Sequence, residues 1–375
     1  MHLARLALPA LLLLAPAAPA SAALFCVTNE SELRAALAAI GGTNFDPAAN
    51  EIRLTQRTFF TGTQPFAVQV SGPTGDTVLS GGWASAGTTP CDVQSPDARL
   101  TALDAQGTSA VLSIGRNSVS NNATPLIRVA NLTIRNGSAP NAPVGLAIRN
   151  SFGSIEVDNV IVHGHRAPNS QFIQGVAVHL DSSTRDIRLR NALVYDNIGS
   201  FQGAFPLASV LFTSLSLNSD RNWYASNNTI VAGPDTGGES LRMQSDGNFW
   251  VINNILRGGV AYTSSITGAG AATDPLVRQL FNNFASTPTT DRATIVTDQG
   301  NSQSAPQLDP ATFALLPSSP LVNAGLGGQP GGVAVVDSFG QPRVFGPVID
   351  VGALELQQAP VLPDPVFASG FEPPP

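Results

Sequence analysis

IRVANLTIRNG, residues 127–137, reads as a strand that ends in a turn, and it returns in altered form along the chain. IEVDNVIVHGH begins at Ile155, IRLRNALVYDN at Ile187, NWYASNNTIVAG at Asn222 and FWVINNILRGG at Phe249. Set in register, Asn131, Asn159, Asn191, Asn227 and Asn253 share one column, spaced by 28, 32, 36 and 26 residues. A second column supports the first: GLAI at Gly145 and GVAV at Gly175 precede the next repeat at similar distances. A period this long, with several strands per repeat, describes a solenoid whose turns stack at the inter-strand spacing of about 4.8 Å. Alternating apolar positions such as Ile155 and Val157, then Val160 and Val162, point into a common core. The Asn column predicts a corner repeated in every coil, because Asn tolerates the left-handed backbone conformation, and its amide can join equivalent amides above and below in a structural ladder.

Working outward, the rest of the chain agrees with an all-β architecture. From Glu51 it breaks into short β-rich segments separated by Gly, Asn, Asp, Ser and Pro. One helical signal precedes them: in NESELRAALAAIGG, Asn29 can cap, Glu32 can reach back, and Leu33, Ala36, Leu37 and Ile40 share a face that Gly41 ends. The opening residues MHLARLALPALLLLAPAAPASA combine Arg5, an apolar run and a small-residue end at Ala22, the layout of a secretory signal over 1–22. No later segment is apolar for long enough to span a bilayer.

The 19 basic residues are all Arg, against 26 acidic ones. An acidic chain without basic clusters is a poor nucleic-acid binder, since phosphate neutralisation needs grouped cations. Two cysteines, Cys26 and Cys91, would form one disulfide in an oxidising compartment. Lipidation of Cys26 and metal binding compete with that reading; the residues before Cys26 lack the small residue that lipoprotein processing needs, and no His lies near either thiol.

The Asn-bearing coils, the capping helix, and LSGGW at Leu79 with LTALDAQGTSAVLSIG after Cys91 resemble secreted bacterial right-handed parallel β-helix repeat proteins, over about residues 25–310. LLPSSPLVNAG from Leu315 and VVDSFGQPRVFGPVIDVGALE from Val335 resemble the choice-of-anchor Q module that ends such proteins, with Asn323 standing where Asp is expected. The resemblance implies a right-handed parallel β-helix over 23–310, an anchor-associated module over 311–358 and a cell-surface or secreted location. It implies no single activity. Read from the residues alone, Asp337, Arg343, Asp350 and Glu355 suit a salt-bridge network that fastens the last segment over the open end of the solenoid; a calcium site from the same carboxylates has no spacing to support it. The Pro-rich tail, 359–375, contains VFASGFE, which resembles a short C-terminal motif of exported proteins of some Gram-negative bacteria, so a sorting signal and a linker are both open.

The chemistry of known β-helix enzymes is hard to find. Lys-dependent lyase chemistry is excluded by the absence of Lys, and no Asp-Asp pair marks an inverting hydrolase. Asp181 and Asp186 flank DSSTRD as ordinary turn formers. The best catalytic cluster is VHGHR, with His163, His165 and Arg166, joined by His179 if successive coils align. Phe201, Phe205, Phe212, Trp223, Tyr224, Phe249 and Trp250 gather in the middle coils, where they either stack in the core or present sugar-binding faces; Trp223, Tyr224 and Trp250 are the ligand-binding candidates. The sequence thus points to an exported, monomeric, non-enzymatic scaffold for adhesion or glycan contact, with a polysaccharide lyase or glycoside hydrolase as the rival. No cofactor or metal site is implied, and calcium is admitted only by the acidic composition.

Overall fold

The computed structural model describes residues 23–41, 49–70, 75–117, 124–141, 143–170, 175–201, 207–214, 221–233, 238–264 and 274–357; the expected signal segment and the Pro-rich tail lie outside them. The chain winds into a right-handed parallel β-helix, the hand that parallel crossover connections strongly prefer. Each coil runs along face A, turns at the Asn column onto face B, turns again, and crosses to face C before rising to the next coil. Faces A and B share long strands such as Ile127–Arg135, Ile155–His163 and Ile187–Tyr195, while face C is a separate sheet from Phe66–Val70 to Thr289–Asp291. Stacking is residue on residue: Ile155 sits over Ile127 and under Ile187, and Val160 over Leu132 and under Ala192.

All five Asn of the column occupy the left-handed region, with φ between 50° and 57°. The next coils turn the same corner with Phe281 at φ 54° and Gly300 at 67°. The continuous amide ladder, however, runs one residue further on. Asn228, Asn254, Asn282 and Asn301 are joined by Nδ2–H to Oδ1 bonds, each 2.9 Å long. Within the corner column only Asn159 bonds its neighbour, donating to Asn131 Oδ1 at 2.8 Å. The reason is direction: a left-handed residue at a corner turns its side chain outward, whereas the following residue returns to the strand and points into the coil.

Outside, Asn159 donates to the Pro96 carbonyl, and two further corner amides meet the C-terminal segment. Asn191 donates to the Val336 carbonyl at 3.0 Å, and Asn253 accepts the Leu326 N–H at 2.7 Å while donating to the Leu326 carbonyl at 3.0 Å. The segment therefore lies lengthwise along face B and does not cap the open end, contrary to the expectation from sequence. Face B is built to receive it. Its outward row carries Ile161, Leu193 and Ile255, buried beneath Ala353, Leu354, Leu315, Leu321 and Val351. Strands covered on both sides need apolar residues at successive positions, which accounts for Val160-Ile161-Val162.

The four charged residues expected to form a salt-bridge network make mainly backbone contacts. Every oxygen of the Asp337, Asp350 and Glu355 carboxylates accepts a backbone N–H, from Phe339, Gln341 and Glu355, from Asn323 and Leu356, and from Phe345 and Asp350 respectively. Arg343 is fully buried, with Nη1 3.8 Å from Glu355 Oε2 and Nη2 donating to the Asp350 and Gly352 carbonyls. Burial pushes all three carboxyls up, Glu355 to about 7, and pulls the guanidinium of Arg343 down. Among the described residues no group of His, Cys, Asp and Glu is arranged to hold a metal ion.

At the N-terminal end the helix Glu30–Gly41 lays Leu33, Ala36, Leu37 and Ile40 on the first coil. Asn29 Oδ1 accepts the Glu32 N–H at 2.9 Å, and Glu32 reaches back one residue further than a capping box, to the Thr28 N–H at 2.6 Å. Cys26 and Cys91 form a disulfide that ties the first strand to the hairpin of Thr77–Ala86 and Thr89–Gln94.

Candidate functional site

The structure disperses the histidine cluster. His165 is buried in the coil interior, where Nδ1 accepts the Gly137 N–H at 2.9 Å and Nε2 faces the Ile134 carbonyl at 3.2 Å. That pair of contacts requires the neutral ring with the proton on Nε2. Burial holds its pKa near 3, so it is a structural bracket between coils. His163 points out of face B and stacks on Tyr195, with ring centroids 4.8 Å apart, while Tyr195 packs against Phe313 of the C-terminal segment. Burial, then the charge of Arg135, lowers its pKa. Arg166 is tied to Asp196 at 3.1 Å. His163, His165 and Arg166 therefore share no cleft with one another or with His179, which belongs to face C.

The aromatic candidates are also redistributed. Trp223 is fully buried and stacks on Phe249 at 5.7 Å with Phe212 at its edge, so it is core rather than a ligand-binding residue. Phe205 and the side chain of Phe201 lie outside the described residues. Tyr224 and Trp250 do lie on the outside of face A, one coil apart, with centroids 6.2 Å apart and planes within 16°. Arg188 sits 5.4 Å over Tyr224 and Arg278 4.7 Å over Trp250. The order Arg188, Tyr224, Trp250, Arg278 follows the coil axis, so the ring faces are occupied by neighbours and only edges meet solvent.

Face C carries the concave site. Across adjacent strands, Ala67, Ser113, Ala147 and His179 form one outward row, and Gln69, Gly115, Arg149 and Asp181 form the next. Small residues at Ser113, Gly115 and Ala147 leave a trough of about 310 Å³, edged by Gln69, Arg149, His179 and Asp181. A Cβ at position 115 would meet the Gln69 amide oxygen at 2.3 Å, so glycine lets that side chain lie across the floor. Arg149 Nε donates to Asp181 Oδ2 at 2.7 Å, with the Arg side chain 57% exposed and the carboxylate 11%. His179 places Nε2 out of contact with solvent and without a protein hydrogen-bond partner, and burial lowers its pKa to about 4. The ring is therefore neutral at ordinary pH, in a site that also offers an amide, a hydroxyl and an ion pair.

Arg149, Asp181 and Gln69 were not legible as site residues in the sequence. Asp181 has the composition of a turn former, and the strands that bring these residues together are joined by connections of unequal length. The second repeat column would have misled, since setting Gly145 on Gly175 puts Arg149 opposite His179, whereas the structure pairs Arg149 with Asp181 and Ala147 with His179, two residues further along.

Comparison with known proteins adds little. No family model matches the chain, and no curated protein matches it. Among solved structures, the pectin methylesterase from Aspergillus niger in deglycosylated form aligns over 75% of this chain and 92% of its own, at 10% identity and a TM-score of 0.30. A score that low carries no argument about this chain. The class, a parallel β-helix, rests on the stacked parallel sheets themselves.

Proposed function

We propose that this protein is an exported β-helix scaffold, monomeric and displayed at the cell surface or secreted, that contacts a glycan through the trough on face C. The observation that carries the reading is the trough itself: a recess of about 310 Å³ with a small-residue floor, edged by groups that suit sugar hydroxyls, Gln69, Ser113, Arg149, His179 and Asp181. Export is supported by the signal-like residues 1–22 and by the Cys26–Cys91 disulfide, which belongs to an oxidising compartment. Among the described residues no helix is long and apolar enough to cross a membrane. Anchor association is supported by the resemblance of residues 311–358 to the choice-of-anchor Q module, and in that reading the docking along face B is how the module attaches to the solenoid.

A polysaccharide lyase or glycoside hydrolase remains the second reading, because one observation favours it: the buried, unpartnered Nε2 of His179 in the same recess as Asp181 and Arg149. The test is a panel of neutral and uronate polysaccharides, scored for retention and for product, with wild type and with Ser113→Trp, which fills the floor. Retention without product, lost in Ser113→Trp, is the expected result. Product formation that disappears in His179→Ala replaces the scaffold with an enzyme, and retention unchanged in Ser113→Trp removes the trough from the reading.

A further inference from the structure

The charges in the trough are matched one to one. Arg149 and Asp181 are the charged residues that line it, and they are bonded to each other through Nε and Oδ2 at 2.7 Å. His179, beside Ala147 in the neighbouring row, contributes a neutral ring. Gln69, Ser113 and Asn117 add only uncharged donors and acceptors. A ligand carboxylate entering such a site would have to compete with Asp181 for Arg149 and would meet a second negative charge beside it, a repulsion that discriminates strongly at partly buried positions. Hydroxyl groups meet no such cost. They both donate and accept, so one sugar hydroxyl can donate to Asp181 while a neighbouring hydroxyl accepts from Arg149, and the ion pair remains intact.

From this pairing we infer that the trough selects an uncharged, hydroxyl-rich polysaccharide and excludes uronate polymers. The inference rests on the glycan-contact reading above and names the ligand class for the same site. It also sets the role of Asp181, which is to hold Arg149 away from carboxylates as much as to contact the ligand. Removing that one negative charge at constant shape should convert the specificity.

The experiment measures retention of the whole purified protein on neutral polymers (an insoluble β-glucan, a mannan and a xylan) and on immobilised polygalacturonate, at about 20 mM and about 500 mM NaCl, salts whose screening lengths differ severalfold. Wild type is expected to be retained on a neutral polymer with less than about a twofold change between the two salts, and not on polygalacturonate. Asp181→Asn is expected to gain polygalacturonate retention at low salt and lose it at high salt, and Asp181→Asn/Arg149→Gln to lose that gain. Wild type held on polygalacturonate and eluted by salt would overturn the inference while leaving the glycan-contact function standing. Retention on none of the polymers would overturn both.

Discussion

Asn254 donates its Nδ2–H to Oδ1 of Asn282 at 2.9 Å, and the same oxygen accepts the backbone N–H of Asn254 at 3.0 Å. One amide of the upper coil thus closes two donors of the lower one, and Asn254 repeats the arrangement for Asn228. The Nδ2 group also donates to the Ala225 carbonyl at 2.8 Å, on the strand one coil back. The ladder satisfies the backbone at the place where regular pairing is interrupted between faces A and B.

Asn254→Ala should therefore be among the more destabilising substitutions in the solenoid. It leaves the buried Asn228 N–H without its acceptor, at about 1–3 kcal/mol for an unsatisfied group, and removes the Asn254 amide's own bonds to Asn282 and Ala225. A loss of roughly 3 kcal/mol in urea unfolding is expected. Asn227→Gly is the control, since the Asn227 side chain makes no hydrogen bond and glycine accepts its φ of 53°; it should change stability by less than about 1 kcal/mol. Equal losses in the two variants would show that the ladder contributes nothing beyond the corner.

How much of this was readable beforehand depends on which physical property each residue type reports. The corner was readable because Asn at Asn131, Asn159, Asn191, Asn227 and Asn253 advertises a left-handed backbone, and φ is positive at each. Phe281 makes the same turn and was invisible, since nothing in a bulky aromatic residue signals that conformation. The ladder was hidden for another reason: its column is Leu132, Val160 and Ala192 in earlier coils, so it reads as core until Asn228. The double apolar face at Val160-Ile161-Val162 was present in the sequence, but what covers it comes from residues far away in the chain, and proximity of that range is set by the fold.

The covering segment gives the second prediction. Leu193 is 2% exposed, packed in one cluster with Ala353 and Leu354 on the outside of face B. A charge there costs nothing to the inner core, which faces the other way, and acts on the seam alone. Leu193→Asp should free residues 306–357 to limited proteolysis while residues 23–300 stay resistant. Equal protease resistance in variant and wild type would mean that the corner amides hold the segment without the apolar seam.

The disulfide closes a stretch of 65 residues between Cys26 and Cys91. Its chain-entropy contribution is about 4 kcal/mol. In a solenoid, stability is passed between neighbouring coils, so loss at one end frays that end first. The Cys26→Ser/Cys91→Ser variant should lose hydrogen-exchange protection in Glu30–Gly41 and Asn50–Thr55 before the coils at Ile155–His163 are affected. Uniform loss along the chain would indicate that the solenoid unfolds as one unit.

The last prediction concerns Glu355. Its carboxyl is pushed up to about 7 from an ordinary value of 4.5, chiefly by burial, although two backbone N–H groups and the buried Arg343 favour the anion. A folded-state value raised above the unfolded one means that the native protein holds this proton more tightly. The contribution is full below about pH 4.5 and is lost as pH rises through about 7. A shift of that size corresponds to on the order of 3 kcal/mol. His165 and His179 act in the opposite sense: their depressed values make stability fall as pH drops below about 6.5, towards about 3 and about 4. The whole-protein profile mixes these slopes, so the informative quantity is the difference between wild type and Glu355→Gln, which mimics the protonated acid. Between pH 5 and pH 8 wild type should lose stability relative to Glu355→Gln, with the midpoint near pH 7 and the loss confined to residues 306–357 in hydrogen exchange. A pH-independent difference would show that the backbone N–H groups and Arg343 hold Glu355 ionised throughout, making the cluster a permanent clamp on face B.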